Sequence, residues 1–188
     1  SVVVPFLILG PDLLTVSADA VPISCNGLCD GTIVITAAGG TGAYFYVWSP
    51  VPPNGQGNNA ATGLCAGEWA CMVTDANGCT MAMSVTLPEP PLLQADVSSS
   101  NNVCFAQCQA TATLNIAGGV APHAIGWSQS DGTPIATDTT AVGQLCAGDY
   151  NVRVTDANGC FIDVPFTITE GSPIEPSLVF NGETCAGP

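Results

Sequence analysis

VTDANGC occupies Val73–Cys79, and the same seven residues return at Val154–Cys160, 81 positions later. A catalytic site is needed once. A turn-rich heptapeptide that closes on a cysteine and is spelled twice points instead to architecture. Extending the alignment upstream sets LCAGEWACMVTDANGC (Leu64–Cys79) against LCAGDYNVRVTDANGC (Leu145–Cys160), with 11 of 16 positions identical. Cys25 and Cys29 of CNGLC meet Cys104 and Cys108 of CFAQC, Gly39-Gly40 meets Gly118-Gly119, and Trp48 meets Trp127. Self-similarity at a fixed period is the mark of a repeat architecture, and this chain is a tandem duplication.

The spacing of the cysteines extends the pattern to both ends. Cys79 to Cys104 is 25 residues, and Cys160 to Cys185 is again 25. SVVVPF (Ser1–Phe6) also parallels FIDVPF (Phe161–Phe166). The expected organisation is therefore a last strand of a preceding repeat plus linker (1–14), two complete repeats (15–89 and 90–171), and the linker and start of a third (172–188).

Composition narrows the function class. The 188 residues include 15 acidic side chains, one arginine (Arg153) and no lysine, for a net charge of −14. Nucleic acids and anionic membranes need a basic surface, so neither is an expected partner. Ten cysteines stand beside a single histidine, with no C-x-x-C pair of the kind that holds zinc. That pattern points to disulfides, an oxidising compartment and an extracellular location. The most apolar stretch, Ser1–Leu14, is interrupted by Pro5, Gly10, Pro11 and Asp12 and is too short to span a bilayer. It lacks a basic leader, so an export signal is expected outside this chain.

Helical periodicity is absent, and short alternating runs bounded by turn residues replace it. Gly31–Ala38 points Ile33, Ile35 and Ala37 to one face, and its counterpart offers Ala112, Leu114 and Ile116. Ala43–Ser49 forms another strand, with Trp48 as a core anchor. Glu68–Asp75 turns Trp69, Cys71 and Val73 inward, matched by Tyr150, Val152 and Val154. Asp-Ala-Asn-Gly is a strong hairpin turn, because Asp bonds nearby backbone and Asn-Gly tolerates positive φ. About seven strands in roughly 80 residues, with a Trp on the third, describe an all-β immunoglobulin-like or fibronectin-III-like sandwich in tandem, braced by disulfides.

The order C-x3-C, strand, Gly-Gly, aromatic-Trp-Ser, Gly-Leu-Cys-Ala-Gly and VTDANGC resembles the SprB repeat over essentially the whole chain. That family builds long surface adhesins of gliding Bacteroidota. The resemblance implies a secreted β-sandwich array, exported by type IX secretion and displayed on the cell surface. Two departures bear on packing: His123-Ala124-Ile125 replaces Tyr44-Phe45-Tyr46, and Cys71 is an additional cysteine.

Each complete repeat carries four equivalent cysteines. In a sandwich of this order the starts of the second and the penultimate strands share one end, which favours Cys29–Cys65 and Cys108–Cys146. The remaining pairs would be Cys25–Cys79 and Cys104–Cys160. Family members that lack the middle two cysteines often keep the outer two, which supports them. Strand geometry opposes them, because Cys79 should begin at the end opposite Cys25, and sequence leaves the connectivity open. Cys71 and Cys185 are left over, either unpaired or joined between chains.

Candidate chemistry is sparse. His123 has Tyr44 as its counterpart and no neighbouring nucleophile, so it reads as a strand or turn residue. Arg153, near Asp149 and Asp156 in sequence, reads as half of a surface ion pair. Calcium is the one cofactor the acidic residues invite, with Asp75 and Asp156 at the turns and Glu89 and Glu170 at the linkers as candidate ligands. The full calcium-loop motif is missing, and an Asx-type turn explains the aspartates more simply. Thr139 fits a short bacterial O-glycosylation pattern. The segments Ser49–Gly63 and Ser128–Gly143 differ most between copies and are candidate recognition loops, with surface glycans among their expected partners.

These features describe a non-enzymatic structural and adhesive segment, in which neighbouring repeats or identical chains are the expected partners. The alternative is a subunit that polymerises by strand donation, with Ser1–Leu9 pairing on a neighbour's sheet edge.

Overall fold

A computed structural model describes residues 10–177. The proposed donor strand Ser1–Leu9 and Cys185 lie outside those residues. Every regular element described is a β-strand. In the first repeat, β1 (Thr15–Val21), β2 (Gly31–Ala38) and β4 (Ala60–Leu64) form one sheet in the order β1-β2-β4. The other sheet joins β3 (Phe45–Ser49), β5 (Gly67–Thr74) and β6 (Thr80–Leu87) in the order β3-β5-β6. In the second repeat, β7 (Gln94–Ser99), β8 (Ala110–Ala117) and β11 (Ala141–Leu145) form a sheet ordered β11-β8-β7. Its companion sheet, ordered β10-β9-β12-β13, is built from β9 (Ala124–Gln129), β10 (Pro134–Thr137), β12 (Gly148–Thr155) and β13 (Phe161–Ile168). The chain changes sheet after its second strand and returns before its penultimate one, which is the Greek-key division of an immunoglobulin-like sandwich.

Contacts divide the chain into two compact units. One runs to Gln94 and takes in Ala117–His123 and Thr155–Phe161 as well. The other comprises Ala95–Ile116, Ala124–Val154 and the chain from Ile162.

Period-two alternation builds the first core. Ile33 and Ile35 on β2 are fully buried, while Val34 between them is exposed. They meet Trp48 of β3, Ala61 and Leu64 of β4, Trp69, Cys71 and Val73 of β5, and Leu87 of β6. The second repeat buries the corresponding set, Ala112 and Leu114 on β8, Trp127 on β9, and Tyr150, Val152 and Val154 on β12. Phe166 fills the space beside them, edge-on to Trp127 at 5.8 Å and stacked on Tyr150 at 5.4 Å. Such aromatic pairs add to the area they bury. Each buried ring keeps its polar atom satisfied: Trp48 Nε1 donates to the Asn58 carbonyl and Trp127 Nε1 to that of Thr139, both at 2.8 Å.

Two expectations need correction. The first repeat has six strands among the described residues, one fewer than its spacing suggests, because β3 leads to β4 with only an isolated bridge between Asn54 and Thr62. The segments read as recognition loops are partly sheet. Ser49–Gly63 contains most of β4, and Ser128–Gly143 contains β10 and the start of β11. Their residues are too rich in Gly, Asn, Asp and Thr for alternation to reveal a strand, and pairing with β2, β9 and β8 supplies the order.

Candidate functional site

The repeated heptapeptide closes the β5–β6 hairpin, whose register runs unbroken from Gly67 opposite Leu87 to Thr74 opposite Thr80. Asp75 at the turn is only 2% exposed, unusual for an aspartate in so acidic a chain. Its Oδ1 accepts the backbone N–H groups of Asn77 (3.0 Å) and Cys79 (2.8 Å), and its Oδ2 accepts that of Thr41 (2.9 Å). Asp156 repeats the arrangement with Asn158, Cys160 and Val120, at 2.9, 2.9 and 3.0 Å. The first two donors shape the hairpin. The third ties it to the loop that follows Gly-Gly.

That loop in turn grips the linker. Gly40 N–H donates to the Asp12 carbonyl at 2.8 Å, and Gly119 N–H to that of Pro91 at 3.1 Å. Gly39 and Gly118 hold φ of +73° and +68°, and a Cβ on either would overlap a linker carbonyl oxygen, that of Leu13 or Leu92. Positive φ and close backbone approach both demand glycine here. Tyr44 OH donates to the Gly39 carbonyl at 2.6 Å, and the His123 ring nitrogen reaches the Gly118 carbonyl at 3.1 Å. The Tyr-to-His difference between copies therefore preserves one contact, and His123 is a turn brace.

Cys29 is bonded to Cys65, and Cys108 to Cys146. Each bridge closes the end of a ladder, since Gly31 lies opposite Leu64 and Ala110 opposite Leu145. Trp69 Nε1 and Tyr150 OH donate to the carbonyls of Cys65 and Cys146 at 3.0 and 2.9 Å, tying the aromatic core to each bridge.

The pairs Cys25–Cys79 and Cys104–Cys160 are overturned. Cys25 is bonded to Cys160, with Cα atoms 5.7 Å apart and 135 residues between them in sequence. Cys25 precedes β2, whereas Cys79 lies at the hairpin end of the sandwich. The eight residues of β2 separate those ends by about 26 Å. A disulfide accommodates Cα atoms roughly 4.4–6.8 Å apart. Cys160 instead reaches the C-x3-C loop of the first repeat, and Asn158 Nδ2 donates to the Ser24 carbonyl beside it at 2.8 Å. Leu28, Leu92 and Phe161 line an apolar groove next to this disulfide. Cys79 and Cys104 are exposed free thiols.

The four candidate calcium ligands all accept backbone N–H groups. Besides the turn aspartates, Glu89 Oε1 accepts from Gly27 at 2.7 Å and Glu170 Oε2 from Ala106 at 2.8 Å. Among the described residues, no three His, Cys, Asp or Glu side chains gather in a metal-holding group. Cys71 is unbonded and wholly buried in the first core, where burial pushes its thiol above the ordinary value. Thr139 is half-buried, its hydroxyl donating to the Ala141 carbonyl at 3.0 Å. Arg153 pairs with Asp163, Nε and Nη2 meeting the two carboxylate oxygens at 2.8 and 2.7 Å. Asp163 came from strand pairing, which a reading of local sequence could not supply.

Burial raises the Asp75 and Asp156 carboxyls, but the backbone donors outweigh it and leave both below the ordinary carboxylate value of 3.8. A folded-state pKa below the unfolded one stabilises the fold above the unfolded pKa. That contribution is lost as pH falls from the unfolded value through the folded one. Thermal midpoints measured at decreasing pH should therefore fall steeply below about pH 4. An Asp75→Asn/Asp156→Asn variant should be less stable at neutral pH and show a shallower acid limb. An unchanged acid limb would remove these carboxylates from the acid response.

Taken together, the strand order, paired cores and three bridges define a tandem pair of disulfide-braced immunoglobulin-like β-sandwiches. The SprB repeat family model matches residues 17–52, from within β1 through β3, including Cys25, Cys29, Gly39-Gly40 and Trp48. No curated protein matches the chain in sequence. Among solved structures, the three N-terminal domains of the bacteriophage RB49 Highly Immunogenic Outer Capsid protein are similar at 17% identity with a TM-score of 0.49. That alignment covers 84% of this chain and 59% of the phage protein. The N-terminal eight Ig domains of Down Syndrome Cell Adhesion Molecule give 12% identity and 0.41, covering 84% of this chain and 25% of that one. Murine CEACAM1b gives 12% and 0.34, covering 83% and 100%. No helix among the described residues is long and apolar enough to cross a membrane.

Proposed function

We propose that the chain is a non-enzymatic segment of an extracellular repeat array, which extends adhesive surfaces from a bacterial cell and serves attachment and gliding. The Cys25–Cys160 disulfide carries this reading, because it joins the C-x3-C loop of one repeat to the DANGC hairpin of the next. It adds a second covalent connection beside the Pro88–Pro91 linker. A bond of that kind suits transmission of force and resistance to proteases better than turnover of a substrate. The SprB match at residues 17–52 and the disulfides of an oxidising compartment support a secreted, surface-displayed array, with type IX secretion as its route.

Mass spectrometry of the reduced native polypeptide tests the array. A mass far above 18.9 kDa, with many VTDANGC-type peptides, is expected. A mature chain near that mass that polymerises would overturn it. Pulling single molecules tests the mechanical role. With 135 residues of chain released by opening Cys25–Cys160, reduction should add roughly 450 Å to the stretched length.

A further inference from the structure

We propose that Cys79 and Cys104 are open halves of junctions like Cys25–Cys160 and bond adjoining repeats of the array head to tail, a cysteine of the Cys104 kind bonding one of the Cys79 kind. Separate copies of this chain, used as stand-ins for adjoining repeats, should join in the same way. Cys104 is the second-repeat counterpart of Cys25, and Cys79 is the first-repeat counterpart of Cys160. The bonded pair shows which two positions meet, and among the described residues Cys104 and Cys79 are free members of each kind.

Both open halves already hold the conformation of the closed one. In the closed junction Gly27 has φ +79° and donates its N–H to Glu89; at the open end Ala106 has φ +57° and donates to Glu170. A non-glycine residue in the left-handed region is uncommon, so the shape of this loop is held by its surroundings rather than by a permissive residue. The Cys79 hairpin carries the same three carboxylate bonds as the Cys160 hairpin. Asn158 Nδ2 donates to Ser24 across the closed junction, while its counterpart Asn77 turns back to Thr41 Oγ1 at 2.9 Å. The surface at the open end is apolar. Val103 and Phe105 flank Cys104 at 89% and 51% exposure. Ile174 is 95% exposed, whereas its counterpart Leu93 is 8% exposed. A hairpin seated there would cover them, as Phe161 sits beside Leu28 and Leu92 at the closed junction.

Bond formation needs an oxidant, here a small-molecule disulfide such as glutathione disulfide. One protein thiolate attacks it, forms a mixed disulfide and releases one glutathione. The second protein thiolate displaces the other glutathione. Two protein thiols are thereby oxidised to one disulfide, and one glutathione disulfide is reduced to two thiols that carry the protons.

The inference deepens the array reading, and the two fail separately, since a long native polypeptide could lack this bond. The test uses the full chain in a Cys185→Ser background, incubated in glutathione redox buffer and resolved without reduction. Cys79→Ser and Cys104→Ser variants are incubated singly and mixed. The mixture should form covalent dimer in about tenfold excess over either variant alone, the ratio set by about 1.4 kcal/mol of preference. Peptide mapping of the oligomers formed without either substitution should recover Cys79 joined to Cys104. Equal dimer yield from the single variants, mapping that finds Cys79–Cys79 or Cys104–Cys104 as often, or no covalent oligomer at all would each overturn the proposal.

Discussion

Trp48→Ala is expected to destabilise the first repeat by about 3–5 kcal/mol. Trp48 is 2% exposed and packs among Ile33, Ile35, Leu64 and Cys71, drawing both sheets into one core. Alanine would leave a cavity that β3 cannot close, since β3 is fixed to β5 along its whole length from Phe45 opposite Thr74 to Ser49 opposite Ala70. It would also strand the Asn58 carbonyl that Nε1 satisfies. Trp48→Phe separates the two losses. It keeps most of the apolar volume and should cost about 1–3 kcal/mol, mainly for the unsatisfied carbonyl and the smaller ring. Val47→Ala, on the exposed side of the same strand, should stay within about 0.5 kcal/mol. Urea unfolding followed by tryptophan fluorescence and circular dichroism measures all three. A Trp48→Ala loss no larger than that of Val47→Ala would show that Trp48 does not hold this core.

Replacing Cys29 and Cys65 together by alanine should cost nearly as much. The bridge spans 36 residues, and closing a loop of that length in the unfolded chain is worth roughly 4 kcal/mol. In a repeat of this size that is a large share of the stability, because a small domain buries a small fraction of its surface. Both cysteines must be changed, since a lone Cys29 or Cys65 thiol could exchange with exposed Cys79 and confuse the readout. Guanidinium midpoints of the double variant, compared with the parent under non-reducing conditions, test the prediction. A shift equivalent to less than about 1 kcal/mol would mean that the register of Gly31 with Leu64 holds the strand ends without the bridge.

Much of this was legible from residues alone, and the reasons are local. Alternation along Gly31–Ala38 and Glu68–Thr74 marks which side chains are buried, because successive strand residues point to opposite faces. The Asp-Ala-Asn-Gly turn announces its hairpin through the short reach of the aspartate to its own following amides. The buried state of Asp75 and Asp156 was less visible, since it depends on a third donor, Thr41 or Val120, more than 30 residues upstream. Strand β10 and the Arg153–Asp163 pair escaped for a nearer reason, since each is made by pairing with the adjoining strand, which the residues of one segment do not show by themselves. Asn102 was also missed. Its 5% exposed side chain accepts from Gln109 and Ala110 and donates to Leu145, where the first repeat has the apolar Ile23.

The cysteines draw the line most clearly. Sequence by itself determined that the chain is duplicated, all-β and rich in cysteines suited to disulfides, because composition, period and turn chemistry act over a few residues. It also contained the objection to joining Cys25 with Cys79, since a strand as long as β2 keeps its two ends apart. Which cysteine takes the place of Cys79 was decided only by tertiary structure. Cys160 meets Cys25 because the second hairpin, held by Asp156 and the Gly118-Gly119 loop, is carried to the C-x3-C loop of the first repeat across 135 residues of chain. Distance through space chose that partner, and spacing along the chain does not encode it.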